Sequence, residues 1–136
     1  MHIGLPLSPM KRLSFIIALC FPPLLGLAED KVKHVDAEKA AQLVADGKVT
    51  VLDVRTEDEF KEGHIQGAKN VDILEKDFAK KLESLDKTKP VLVHCQAGGR
   101  STRSLPTLEK LGFTEIYHLD GGMSDWVKAG KPVEKK

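Results

Sequence analysis

The chain predicts an α/β fold in which a parallel sheet is covered by helices on both faces. Two observations carry that prediction. Val49-Thr50-Val51-Leu52-Asp53-Val54 and Val91-Leu92-Val93-His94 are continuous β-branched and apolar runs, as expected of strands buried on both sides. Between such runs lie stretches with helical spacing, and strands alternating with helices need crossovers that place helices on both faces of the sheet. At 136 residues the chain suits one domain rather than two.

The elements follow in order. Asp36 is placed to cap a helix running to about Asp46, with Ala37, Ala40, Ala41 and Val44 on one face. Asp46-Gly47 is a turn, and the run 49–54 is the strand after it. Thr56 and Glu59 have capping-box spacing, so a short helix starts there and stops near Gly63. Val71-Asp72-Ile73 is expected to be a short strand, followed by a helix over about 75–85. Lys89-Pro90 ends that connection, and 91–94 is the next buried strand. A helical pattern runs from Ser101 to Leu111 and closes at Gly112, with Pro106 inside it removing one backbone donor. Residues 115–119 read as a strand, 124–129 as a last helix, and Gly130 with Pro132 ends it. In a parallel sheet of this kind ligands bind beyond the carboxyl ends of the strands. Asp53, Cys95 and Asp120 fall at or just past such ends.

Composition narrows the function. Lys plus Arg is 21 and Asp plus Glu is 20, a net charge of +1, which gives no electrostatic reason to expect nucleic acid as a partner. Aromatics are 5%, too few for a base-stacking platform. Two cysteines make neither a disulfide scaffold nor a four-cysteine zinc site, and the five histidines show no metal-ligand spacing, so no metal and no cofactor is expected. Nothing in the sequence suggests an extensive apolar surface, and a monomer is expected.

Residues 1–28 read as a cleaved signal peptide, leaving 29–136 as the domain. Lys11 and Arg12 are the only charges before Glu29, an apolar run covers 13–28, and Gly26-Leu27-Ala28 offers a small-residue cleavage site. A permanent anchor is the alternative, but Pro22 and Pro23 interrupt the run, and a spanning helix wants roughly 20 apolar residues. Cys20 raises a lipoprotein reading, against which Leu19 is not the small residue such a site prefers. The expected destination is the periplasm, with no membrane association after cleavage. Losing Lys11 and Arg12 takes the basic residues from 21 to 19 against 20 acidic, a net charge of −1. One cysteine, Cys95, remains, so no internal disulfide is available to it.

The surroundings of Cys95 point to a reactive thiol. His94-Cys95-Gln96-Ala97-Gly98-Gly99-Arg100-Ser101 leaves an apolar strand and enters a helix. Gly98 and Gly99 let the backbone curl, and a curled strand-to-helix turn aims successive N–H groups at one spot. Those dipoles, the helix N-terminus and Arg100 favour thiolate over thiol. A buried inert cysteine beside an ordinary Gly-Gly turn is the plain alternative.

Three stretches resemble the rhodanese-like sulfurtransferases: VLDVRTEDEFKEGHIQGAKNV at 51–71, CQAGGRS at 95–101 and LDGGMSDWVKAGKPV at 119–133. The likeness spans about 35–133 and is greatest to small exported single-domain members. It implies a five-stranded parallel sheet between helices and covalent catalysis in two half-reactions. Cys95 would take a sulfane sulfur from a small sulfur-containing anion or a persulfide donor and pass it to cyanide or a thiol. Backbone N–H groups of Gln96, Ala97, Gly98, Gly99, Arg100 and Ser101 would stabilise the persulfide, and Arg100 would add positive charge. The loop from Cys95 to Arg100 is six residues; related phosphatases use one more, so sulfur transfer is favoured over phosphatase or arsenate chemistry. Members that use thiosulfate well carry basic residues early in the loop, where this chain has neutral Gln96 and Ala97. That keeps open a persulfide carrier serving a protein acceptor, and a catalytically silent domain is the third reading. Asp53 and Arg55, in the family's DVR triplet, are expected to be supporting residues. His64 is expected in a loop as a capping or turn residue, His94 to point away from the nucleophile, and Trp126 to pack in the core. A thiolate favoured by the loop needs no general base, and none is assigned.

Overall fold

The computed structural model describes Gly4 and residues 31–136. The segment read as a signal peptide, Gly4 apart, lies outside the described residues. In chain order the elements are β1 (Val32–Val35), α1 (Ala37–Asp46), β2 (Thr50–Asp53), α2 (Glu57–Glu62), β3 (Lys69–Asn70), α3 (Phe78–Leu82), β4 (Val91–His94), α4 (Gly99–Leu111), β5 (Ile116–Leu119) and α5 (Gly122–Lys128). The five strands form one sheet in the order β1-β5-β4-β2-β3, and every pairing is parallel.

Strand β4 lies between β2 and β5 and is buried along its whole length. Because side chains alternate along a strand, the sheet sorts its apolar residues onto two faces. Val51, Leu92 and Leu119 pack with Ala37, Ala40, Met123 and Trp126, so α1 and α5 cover one face. Leu52, Val54, Val91, Val93 and Ile116 pack with Phe78, Leu82, Leu108 and Phe113 on the side of α3 and α4. Cys95 belongs to this second cluster. Among the described residues no helix is long and apolar enough to cross a membrane.

Local chemistry sets the helix ends. The Asp36 carboxylate accepts from the Lys39 N–H at 2.8 Å, and α1 closes at Gly47 in the left-handed region, φ 67°. Thr56 and Glu59 form the reciprocal capping box at the start of α2. Helix α4 runs through Pro106 as one element, with no Pro106 N–H for the Thr102 carbonyl.

The structure moves several expected boundaries. The strand at Val32–Val35 has no counterpart among the expected elements: it is an edge strand with Lys33 and His34 exposed, too polar to read as a buried run. The third strand is Lys69–Asn70 rather than 71–73, although the Val71 and Ile73 N–H groups continue along β2 by donating to the Asp53 and Val54 carbonyls. Helix α3 is a short Phe78–Leu82 instead of 75–85, because Asp72 accepts from the Leu74 N–H and holds the chain in a turn. Helices α4 and α5 each begin two residues early, at Gly99 and Gly122.

Trp126 is 2% exposed and donates its indole N–H to the Pro132 carbonyl at 2.9 Å. Trp126→Ala is expected to destabilise the fold by about 3–5 kcal/mol, seen as a lower urea midpoint with an unchanged m-value.

Candidate active site

Cys95 leaves the carboxyl end of β4, and the chain curls around its sulfur before entering α4. Gly98 takes φ 109°, in the region that favours glycine, and its N–H donates to Sγ at 3.1 Å. The Ser101 hydroxyl lies 3.3 Å from the same sulfur. Burial opposes charge on Cys95, but the Ser101 hydroxyl and the N–H groups of Ser101, Gly98 and Ala97 outweigh it and bring the thiol below its ordinary 9.0. The residue is 1% exposed and lies beneath the loop. Ala97, Gly98, Gly99 and Thr102 line one side of a shallow groove of about 690 Å³, with His34, His118 and Asp120 on the other.

The loop keeps its shape because it is docked. The carbonyls of Cys95 and Gln96 accept from the N–H groups of Met123 and Ser124, in the first turn of α5, at 2.9 and 3.0 Å. Two glycines permit this approach. A Cβ on Gly98 would lie 2.2 Å from the Asp120 carbonyl oxygen, and one on Gly122 would lie 2.5 Å from the Cys95 carbonyl oxygen. From the other side Arg55 donates to the Gln96 side chain at 3.2 Å, while Gln96 donates to Ser124 Oγ at 3.1 Å.

Asp53 and Arg55 act as a buried pair. Arg55 donates through Nε and Nη2 to the Asp53 carboxylate and through Nη2 to the Gly63 carbonyl. Asp53 reaches the loop through Arg55, which holds Gln96, and through His94, whose Nε2 is 3.7 Å from the carboxylate. His94 is fully buried and uses Nδ1 on the Cys95 carbonyl at 3.0 Å. Burial pushes its pKa down, against the pull of Asp53. His64, just past α2, is buried and reaches the Phe60 carbonyl in the last turn of that helix with Nδ1 at 2.9 Å; it also stacks on Phe60 and its backbone pairs with Glu134.

Arg100 is placed on the loop but turned onto α2. Its guanidinium grips Glu59 with both arms, at 2.6 and 2.9 Å. Glu59 therefore serves both as capping-box carboxylate and as counter-ion, and chiefly the Arg100 hydrogen bond lowers its pKa from 4.5 to about 2. The expected extra positive charge at the sulfur is thus shared with a carboxylate.

One constellation escaped the sequence reading. Ser101 Oγ lies 2.7 Å from His118 Nε2, and His118 Nδ1 lies 2.6 Å from Asp120 Oδ1. His34 Nδ1 reaches the same Asp120 oxygen at 2.6 Å, 3.3 Å from His118 Nδ1. Both rings thus meet one carboxylate oxygen of Asp120 at hydrogen-bond length. His34 and His118 are 84 residues apart and meet only through the β1–β5 register, where they are paired. The hint in the sequence was His118 alternating with Asp120 at a strand end.

The family relation agrees with this geometry. A family model for the rhodanese-like domain matches residues 36–129, and the chain belongs to that family. The Bacillus subtilis protein YqhL is 40% identical over 89 residues, covering 65% of this chain and 68% of its own. The thiosulfate sulfurtransferase GlpE of Shewanella oneidensis is 32% identical over 97 residues, covering 71% of this chain and 94% of its own. Among solved structures, a rhodanese-related protein from Thermoplasma volcanium superposes with a TM-score of 0.69 at 29% identity, covering 76% of this chain and 99% of that one.

Asp53→Ala leaves the Arg55 guanidinium buried without its counter-ion and is expected to cost about 3–5 kcal/mol in urea unfolding. Glu59 supplies an acid-sensitive contribution. Its folded pKa lies below the unfolded value, so its stabilisation is present above about 4.5 and is lost as pH falls through about 2. Wild type and Glu59→Gln should therefore differ in urea midpoint at neutral pH and converge across that acid window.

Proposed function

We propose that this protein is an exported, monomeric sulfurtransferase that carries sulfur as a Cys95 persulfide. The observation that supports it best is the sulfur itself, buried at the carboxyl end of β4 with the Gly98 N–H at 3.1 Å and the Ser101 hydroxyl at 3.3 Å. A thiolate so held attacks the sulfane sulfur of a donor. The donor's S–S bond breaks, its electron pair leaves with sulfite or a thiolate, and Cys95 becomes a persulfide. Cyanide or a thiol then attacks the terminal sulfur, and Cys95 departs as thiolate. The N–H groups stabilise negative charge in both half-reactions without moving.

The donor we favour is a persulfide rather than thiosulfate. Arg100 is the only cation in the loop 95–101, and it is paired with Glu59. Thiosulfate, a dianion, would meet backbone N–H groups but no unpaired cation of the loop. Export is supported by the basic start, apolar run and small-residue site within residues 1–28. Of the exposed large apolar residues among those described, Val127 is on α5, while Leu74 precedes α3 and Val133 follows α5, in keeping with a monomer.

Treating the protein from Glu29 onward with glutathione persulfide or thiosulfate, then taking the intact mass, tests this reading. A gain of about 32 Da that Cys95→Ser abolishes and cyanide removes as thiocyanate is the expected result, with faster loading from the persulfide. Loading without release to cyanide or small thiols would replace the enzyme with a carrier for a protein acceptor. No adduct from either donor would refute sulfur transfer from small molecules. Protein recovered from the native host should begin at Glu29; a retained 10–28 segment would refute export by cleavage.

A further inference from the structure

Ser101 has one hydroxyl proton and three neighbours able to accept it: His118 Nε2 at 2.7 Å, the Gly98 carbonyl at 3.1 Å and Cys95 Sγ at 3.3 Å. Beyond His118 the network is determined. An ionised Asp120 accepts from Nδ1–H of both His118 and His34. In the His118 ring that orientation leaves Nε2 as the atom whose proton can come and go.

We propose that Cys95, Ser101 and His118 form a proton relay in which His118, oriented by Asp120, holds the proton that Cys95 releases on becoming a nucleophile. This deepens the proposed function, since it rests on Cys95 as the attacking group. The donors and acceptors balance in both states of the relay. With a thiol and a neutral imidazole, S–H donates to Ser101 Oγ and the Ser101 O–H donates to Nε2. With a thiolate and an imidazolium, Nε2–H donates to Oγ and the Ser101 O–H donates to Sγ. Both arrangements satisfy every group with the same heavy-atom positions. To pass between them the S–H bond breaks and leaves its electron pair on sulfur. Oγ takes that proton and releases its own to the Nε2 lone pair. Net charge is conserved and no further reactant is needed.

The same balance sets the pH behaviour. A thiolate facing a neutral imidazole leaves two acceptors competing for one Ser101 proton. Thiol and imidazolium together are satisfied, because both donate to Oγ while the Ser101 O–H turns to Gly98. The last proton of the pair is therefore the harder one to remove, and Cys95 and His118 titrate as a pair. The other ionisable groups near His118 are His34 from β1, Asp120 beyond β5 and His94 from β4. Burial lowers the His118 pKa and the Asp120 bond opposes that fall. His118 acts through Ser101 and is a positioning residue, whereas Ser101 touches the reacting sulfur.

The test reads Cys95 directly. Iodoacetamide alkylation at Cys95, followed by peptide mass from about pH 4 to 10, is expected to rise in two steps in the wild type. In His118→Gln, which keeps a polar nitrogen near Ser101 but cannot titrate, one step should remain and the rate near pH 6 should fall about tenfold, equal to about one pH unit. An unchanged profile would overturn the relay. Nitrogen NMR of His118 needs no substitution, and it decides if H118Q does not fold. Alkylating Cys95 should remove the upper step of the His118 titration and move the ring to lower pH, by the reciprocity of linked sites. A His118 titration indifferent to alkylation would overturn the relay. Neither readout uses a sulfur donor. Coupled titrations in a protein that releases no thiocyanate would therefore refute the turnover and support the relay, while uncoupled titrations in a protein that does release it would overturn the relay alone.

Discussion

The contact between the cysteine loop and the start of α5 is the constraint from which the site follows. Two loop carbonyls, of Cys95 and Gln96, accept from two N–H groups in the first turn of α5, those of Met123 and Ser124. These bonds turn the carbonyls outward, away from the sulfur, and leave the loop's N–H groups free to turn inward. The approach is possible only where side chains are missing, and Gly98 and Gly122 are the places where a Cβ would strike backbone. The loop thus depends on a turn more than twenty residues further along the chain. Sheet order makes the turn available, because β5, which leads into it, lies directly beside β4.

Charge near the sulfur is managed by pairing rather than by accumulation. Arg55 is neutralised by Asp53 and Arg100 by Glu59. Each cation still fixes a part of the site. Arg55 holds Gln96 at the loop's first turn, and Arg100 ties the start of α4 to α2. What remains to stabilise an anion at Sγ is a set of fixed dipoles, the N–H groups of the loop and the Ser101 hydroxyl. Dipoles held by the fold need no reorganisation when charge develops on the atom they face. They also discriminate less strongly than a free cation in favour of a doubly charged anion.

The sequence alone was enough for the parallel α/β architecture, the capping box at Thr56 and Glu59, and the position of Cys95 at a strand end. Each of these is written in neighbouring residues: a β-branched run, a three-residue spacing, a Gly-Gly pair after a strand. Short-range signals failed where tertiary contacts decide. β1 is a polar edge strand recognisable only by its partner β5, and α3 is cut short by an Asp72 turn that the helical pattern of 75–85 concealed. The partner of Arg100 was also out of reach, since Glu59 lies 41 residues away and already had a local role as a cap.

By itself, then, the sequence placed Cys95 at a strand end and showed what kind of turn holds it, because the cysteine and its glycine-bearing loop are contiguous in the chain. Only the tertiary structure decided what that nucleophile faces. His34, Ser101, His118 and Asp120 come from β1, α4 and the end of β5, and they meet because parallel pairing sets His34 beside His118 in the register of β1 and β5. Hydrogen bonds of about 3 Å depend on such registers, which arise from the packing of the whole sheet and not from any local pattern.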